Sequence, residues 1–342
     1  MHPGYNPLMA CGATILDAEG VRLTAEEKAF FRAADPFGFI LFARNIQSAE
    51  QTRALCNELR EAVGRNCLIT VDQEGGRVQR LRSPLARDWM APLDHVEQAA
   101  EQAERAMYLR YRLIAQELFE LGIDSNCAPV GDLITPDTHP FLKNRCYGTD
   151  LHQVAILARA VAQAHLDGGV LPVLKHIPGH GRAQVDSHKE LPRVTASLET
   201  LRSQDFAVFA ALNDLPLGMT AHLVYEALDE HPATISGQVM AMIRSQIGFG
   251  GLIMTDDISM KALAGTPAQK AAAARAAGCD LVLFCNAELQ DRRAVAEAAG
   301  EMDGAGQARA DAALALRQPP VLLDTEAAEA ELTALMGGKV YV

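Results

Sequence analysis

No two of the seven cysteines, Cys11, Cys56, Cys67, Cys127, Cys146, Cys279 and Cys285, stand at C-x-x-C spacing, and their number is odd. That argues against a disulfide framework and against a cysteine-built zinc site. Several lie inside apolar runs, as in Cys127-Ala128 and Phe284-Cys285, where a buried reduced thiol is expected. Basic tracts are absent as well: 31 Lys and Arg face 43 Asp and Glu, a net charge of −12. Such a chain suits neither nucleic acid nor an anionic membrane surface, although a local basic pocket remains compatible with it. No apolar run approaches the roughly 18–20 residues that cross a bilayer. Met1 to Gly12 lacks a basic stretch followed by an apolar one, so a cytoplasmic location is expected. There is no linker, repeat or low-complexity tract to divide the chain, and a single catalytic domain over residues 1–342 is expected. A Gly-rich phosphate loop, a G-x-S-x-G elbow and a dinucleotide fingerprint are missing too, and no cofactor is expected.

What is present is ordinary for a globular protein. Apolar residues make up 49% and charged residues 22%, which excludes a disordered chain, a fibre and a coiled coil. Eight short apolar runs read as buried strands: Leu8–Ile15, Phe37–Phe42, Cys67–Val71, Asn126–Val130, Val170–Leu174, Leu217–Ala221, Gly251–Thr255 and Asp280–Cys285. They are continuous rather than alternating, as parallel strands covered on both faces require. Helical patterns fall between them. Ser48 to Gln51 resembles a capping box ahead of Leu55, Leu59 and Val63, His152–Asp167 runs to Gly168, and Pro267–Ala277 ends at Gly278. The alternation predicts an α/β fold, a single (β/α)8 TIM-type barrel, with a doubly wound open sheet as the structural alternative. The Ala-rich segment from about residue 305 reads as covering helices.

Polar residues follow nearly every run at once: Arg44-Asn45, Asp72-Gln73-Glu74, Asp132, Lys175-His176, His222, Asp256-Asp257 and Asn286. One such residue is more often a helix cap or a turn. In a barrel all of them converge on the C-terminal face, where barrel enzymes place their chemistry. Their recurrence predicts an enzyme with its active site at the C-terminal ends of the strands.

Three segments carry chemistry. Lys175-His176-Ile177-Pro178-Gly179-His180-Gly181, followed by Asp186-Ser187-His188, reads as a long loop after the fifth strand. Its histidines suit acid/base work, a metal site, or merely a polar loop that caps backbone groups. His176 and His180 have zinc-like spacing only on a helix, which Pro178 and Gly179 oppose. Asp186 and His188, two apart, point the same way in an extended segment, and a carboxylate beside imidazole raises its pKa and orients it. In Met254-Thr255-Asp256-Asp257-Ile258-Ser259-Met260 the adjacent aspartates cannot both face one way; one is a nucleophile or ligand, the other a structural partner. In Asp72-Gln73-Glu74-Gly75-Gly76-Arg77-Val78-Gln79-Arg80, Asp72 offers a bidentate acceptor and Arg80 a donor fork. That pairing suits sugar hydroxyls, or a salt-bridged turn. Asn144-Arg145-Cys146-Tyr147-Gly148 adds an arginine beside an aromatic.

At these residues the chain resembles the bacterial single-domain β-N-acetylglucosaminidases of glycoside hydrolase family 3, the NagZ type. The K-H-x-P-G-H-G…D-S-H stretch and the later T-D-D-x-S-M carry the resemblance, which spans nearly the whole chain. It departs mildly at Ile177 and Cys146, where an aromatic and a serine are common. The resemblance implies Asp256 as nucleophile, His188 as acid/base and Asp186 as its partner. Asp72, Arg80, Arg145, Lys175 and His176 would hold the sugar, with no metal. It implies retaining hydrolysis of GlcNAc from GlcNAc-1,6-anhydro-MurNAc, with or without peptide, in cytoplasmic cell-wall recycling by a monomer. A neutral histidine base would not repel an anionic acceptor, so phosphate could compete with water. The loop, poor in apolar anchors, is expected to swing His188 over bound sugar. A metal-dependent barrel hydrolase using His176, His180 and Asp256, and a non-catalytic sugar-binding protein, are the rival readings.

Overall fold

The structure is a computed structural model that describes residues 11–185 and 190–342. Eight parallel strands form one sheet: β1 (Gly12–Asp17), β2 (Pro36–Leu41), β3 (Leu68–Val71), β4 (Ser125–Asn126), β5 (Leu171–Ile177), β6 (Leu217–Thr220), β7 (Leu252–Met254) and β8 (Val282–Phe284). Each pairs with the next in sequence from β1 to β7, and β8 pairs with β1. A parallel bridge between Met254 and Leu281 joins β7 to the start of β8 and closes the ring. The open-sheet alternative is thereby excluded. Every one of the eight apolar runs supplied a strand, because strands buried on both faces need apolar side chains at odd and even positions alike.

The boundaries shift where local chemistry intervenes. The start expected at Leu8 lies outside the described residues. β4 is short because Pro129, with no N–H to donate, interrupts it; pairing resumes at a bridge between Val130 and Lys175. β5 is longer than the sequence suggests. Lys175, His176 and Ile177 belong to the strand and not to the loop after it, since Lys175 and Ile177 continue the pairing with Met219 and Thr220 of β6 across a register shift.

A helix follows each strand: α1 (Ala25–Ala34), α2 (Ala49–Val63), α3 (Ala103–Glu120), α4 (Leu151–Asp167), α5 (Asp205–Ala210), α6 (Gly237–Met242), α7 (Pro267–Ala277) and α8 (Leu289–Ala299). Their starts follow ordinary capping chemistry. The Asp150 carboxylate accepts the Gln153 N–H at the head of α4, and Thr266 with Gln269 forms a full capping box ahead of α7. At α2 only half the expected box forms. Ser48 caps Gln51, but the Gln51 amide oxygen takes the Gln47 N–H instead of closing back on Ser48.

Two further helices, α9 (Gly304–Ala315) and α10 (Thr325–Leu335), follow the last barrel helix. Arg309 of α9 ties the cover to the N-terminal end of the barrel. Its guanidinium meets the buried Asp280 carboxylate at 2.5 Å, beside Arg244 at 2.6 Å, while the same carboxylate accepts the Ile253 N–H of β7 at 2.8 Å. One acidic side chain thus binds two cations and a strand. Removing it leaves both guanidiniums partly buried and uncompensated. Asp280→Ala is expected to lower unfolding free energy by about 3–5 kcal/mol, read from urea midpoints, with kcat per folded molecule unchanged because Asp280 lies at the opposite end from the polar strand ends. An unchanged midpoint would show that the clamp contributes nothing.

Candidate active site

The strand ends enclose a cavity of about 450 Å³ whose walls include Asp72, Arg80, Arg145, Lys175, His176 and Asp256. That volume lies within the range of small-ligand sites. All five residues to which the family resemblance assigns sugar binding reach it, as does Asp256, the nucleophile it implies.

The centre of the wall is ionic. Lys175, 2% exposed, places its ammonium 2.9 Å from Asp72 Oδ1 and 2.7 Å from Glu74 Oε1. Arg80 takes the other Asp72 oxygen at 2.9 Å. Arg145 grips Glu74 with two parallel N–H donors, at 2.7 and 2.9 Å. Asp72 and Arg80 are therefore both a salt bridge and part of the cavity wall. Burial pushes the Asp72 and Glu74 carboxyls up, but the cations prevail: Lys175 and Arg80 hold Asp72 well below the carboxylate range, and Arg145 with Lys175 brings Glu74 down to about 2. Glu74 was not among the sequence's chosen site residues. Its signal was available, since it follows Asp72 at the end of β3, but its partners lie far along the chain.

His176 continues the wall beside Lys175, and the peptide joining them is cis. Its Nδ1 meets Asp132 Oδ2 at 2.7 Å. The Asp132 carboxylate also accepts the His180 N–H at 2.6 Å. His180 faces His176 edge-on with ring centroids 5.5 Å apart. Burial, then the neighbouring His176, lower the His180 pKa to about 4. Further round, His222 contacts Thr234 Oγ1 at 2.7 Å through Nδ1 and the Asp257 carbonyl at 3.1 Å through Nε2.

The adjacent aspartates diverge as their chemistry requires. Asp257 accepts the Ser259 N–H and hydroxyl at 2.9 and 2.7 Å, and the Cys285 thiol at 2.9 Å. Asp256 accepts only the Asp257 N–H among the described residues, at 2.8 Å. Burial raises the Asp256 carboxyl, but His222, His176, that N–H and Lys175 more than offset it and hold it below its ordinary value. An ionised carboxylate with no cation among the described residues bonded to it faces an open cavity.

Asp186 and His188, expected as the acid/base pair, lie outside the described residues, and so does the expected swing of the segment that carries them. Among the described residues no group of three or more His, Cys, Asp or Glu is placed to hold a metal, and no helix is long and apolar enough to cross a membrane. At the barrel's β1 end, Asp17, which the sequence reading passed over, joins Arg292 at 2.8 Å and the Asn286 N–H at 2.7 Å, and it also pairs with Arg44. This network knits β1, β2 and β8 together, and it assigns Arg44 and Asn286 a structural task. Asn45 likewise turns inward to the Ala18 and Gly20 carbonyls.

Barrel and cavity together define a (β/α)8-barrel enzyme with its chemistry at the C-terminal strand ends. The chain belongs to glycosyl hydrolase family 3, whose N-terminal domain matches residues 14–315, and is therefore a glycoside hydrolase. It is 40% identical to a beta-hexosaminidase of Chromobacterium violaceum over 80% of this chain and 79% of that one. It is 38% identical to a beta-hexosaminidase of Pseudomonas aeruginosa over 80% of this chain and 82% of that one. Among solved structures, NagZ from Neisseria gonorrhoeae in complex with N-trifluoroacetyl-D-glucosamine superposes with a TM-score of 0.82 at 31% identity, covering 97% of this chain and 98% of that one.

The ion cluster has a signature in acid. Glu74 falls from an ordinary 4.5 to about 2 on folding, so its contribution is complete above the ordinary value and is lost as pH drops toward 2. Wild-type stability should therefore fall more steeply than that of Glu74→Gln between about pH 4.5 and 2, with wild type the more stable at neutral pH. Urea midpoints across that range give the comparison. Parallel curves would remove Glu74 from the cluster's energetics.

Proposed function

We propose that this chain is a retaining β-N-acetylglucosaminidase that releases terminal GlcNAc through a covalent intermediate on Asp256. The observation that carries the reading is the state of Asp256. It is the cavity-wall aspartate without a cation, or a hydroxyl or thiol donor, bonded to it among the described residues, and its neighbours keep it ionised. A nucleophile needs that freedom. Asp72, Arg80, Arg145, Lys175 and His176 then form the sugar-binding set. The ligand in the gonococcal structure, an N-acylated glucosamine, supports a 2-acetamido sugar.

In the first step Asp256 attacks the anomeric carbon while His188, oriented by Asp186, protonates the departing oxygen. In the second, His188 removes a proton from water, which displaces Asp256 and restores the starting configuration. Histidine thus replaces the second carboxylate of the usual retaining pair, and no metal or cofactor takes part. The aglycone we infer from the family resemblance is 1,6-anhydro-MurNAc, with or without peptide, which assigns the enzyme to cytoplasmic cell-wall recycling as a monomer.

Two experiments test the roles. A slow 2-fluoro or 5-fluoro sugar should label Asp256, and Asp256→Asn should lower kcat by about 10⁴-fold or more; mass-spectrometric labelling of Asp72 or Asp257 instead would overturn the assignment. His188→Ala should damage cleavage of the disaccharide, whose leaving group is poor, far more than formation of the glycosyl-enzyme from a nitrophenyl sugar. Azide should speed the variant's slow second step, since it needs no base. Disaccharide turnover at the wild-type rate would exclude histidine as the acid/base.

A further inference from the structure

We infer that Asp132 is a positioning residue that governs two parts of the site through one carboxylate: the imidazole of His176 and the root of the segment leading toward His188. The inference rests on reading the cavity as a sugar site. Asp132 is wholly buried, just past the bridge between Val130 and Lys175 that extends β4 beside β5. Gly131 N–H donates to the Lys175 carbonyl at 2.7 Å, and Lys175 N–H to the Pro129 carbonyl at 3.0 Å, so the backbone fixes Asp132 opposite His176. Three donors converge on its two oxygens. Oδ2 faces His176 Nδ1 at 2.7 Å. Oδ1 accepts the backbone N–H groups of His180 at 2.6 Å and His176 at 3.3 Å.

The consequence for His176 is a fixed tautomer. A carboxylate only accepts, so Nδ1 must carry a proton, and in the neutral ring Nε2 is left as the acceptor. The consequence for the segment is an anchored start. From His180 onward it lies along the loop after β4: Thr138 Oγ1 donates to the Gly181 carbonyl at 2.5 Å and His139 N–H to the Ala183 carbonyl at 3.1 Å. There is no room for a side chain at Gly181, whose Cβ would stand 1.9 Å from the Leu133 carbonyl oxygen. Asp132 is the first tie in that seam.

Asparagine at 132 separates the two tasks. It offers one oxygen where the carboxylate offers two. The backbone N–H groups cannot turn away, so they keep the oxygen and the amide NH₂ faces His176. The imidazole can adapt by moving its proton to Nε2. Asp132→Asn should therefore leave the segment's root in place but invert the His176 tautomer, and kcat/KM on an aryl β-GlcNAc should fall by about 10²-fold or more. In a His176→Ala background the same change should cost less than about threefold, because it acts through the absent ring. Asp132→Ala, which abandons the backbone donors too, should still cost activity in that background. Long-range ¹H–¹⁵N spectra of wild type should show Nδ1 of His176 protonated at neutral pH, a readout that needs no substrate and no variant. Absence of turnover by wild type would sink the sugar reading and leave this ring assignment standing. An unprotonated Nδ1 in wild type, or a full Asp132→Asn penalty without His176, would overturn the positioning role.

Discussion

The active site depends on one buried ammonium. Taking the Lys175 charge out of water costs several kcal/mol unless it is matched closely, and two carboxylates from the end of β3 match it. Those carboxylates then call for more positive charge, which Arg80 and Arg145 supply. Three cations against two anions leave this cluster with one positive charge in surplus, in a chain whose net charge is −12. The surplus reaches Asp256, where Lys175 is among the charges that keep the carboxyl ionised. Sequence sets Lys175 on β5, the barrel sets β5 within reach of β3, and the resulting ion cluster adds, after His222, His176 and the Asp257 N–H, to what keeps Asp256 ionised.

This dependence explains which parts were legible in the sequence. Strands covered on both faces announce themselves as short apolar runs, and the residues just after them must lie at one rim, so fold and cavity followed from local pattern. Pairings were not local. Asp72 and Lys175 are 103 residues apart, and Glu74 and Arg145 are 71 apart. Nothing near Asp17 announces that Arg292 will meet it. The K-H-I stretch was misread as loop for a related reason: its glycines and Pro178 dominate the local signal, whereas its strand character comes from pairing with β6. Asp132 was visible only as a polar strand end, since its meaning lies in the three donors brought to it by β5 and the chain beyond.

The acidic residues of the rim divide by what holds them. Asp17 is committed to Arg292 and the β8 end, Asp132 to His176 and His180, and Glu74 to Arg145 and Lys175. Asp72 bonds two cations and keeps a partly open edge, which supports the proposal that it accepts sugar hydroxyls while remaining ionised. Asp257 is occupied by Ser259 and Cys285. A carboxylate that bonds cations this strongly is a poor general acid, because it gives up charge only at low pH. Glu74, at about 2, is therefore unsuited to protonate a leaving group near neutrality. That leaves Asp256 with the freedom a nucleophile needs and no carboxylate partner on the described rim to serve as acid. The proposal that a histidine takes this role gains its support here: imidazole titrates near neutrality, and the ion cluster has already committed the carboxylates that would otherwise compete for the task.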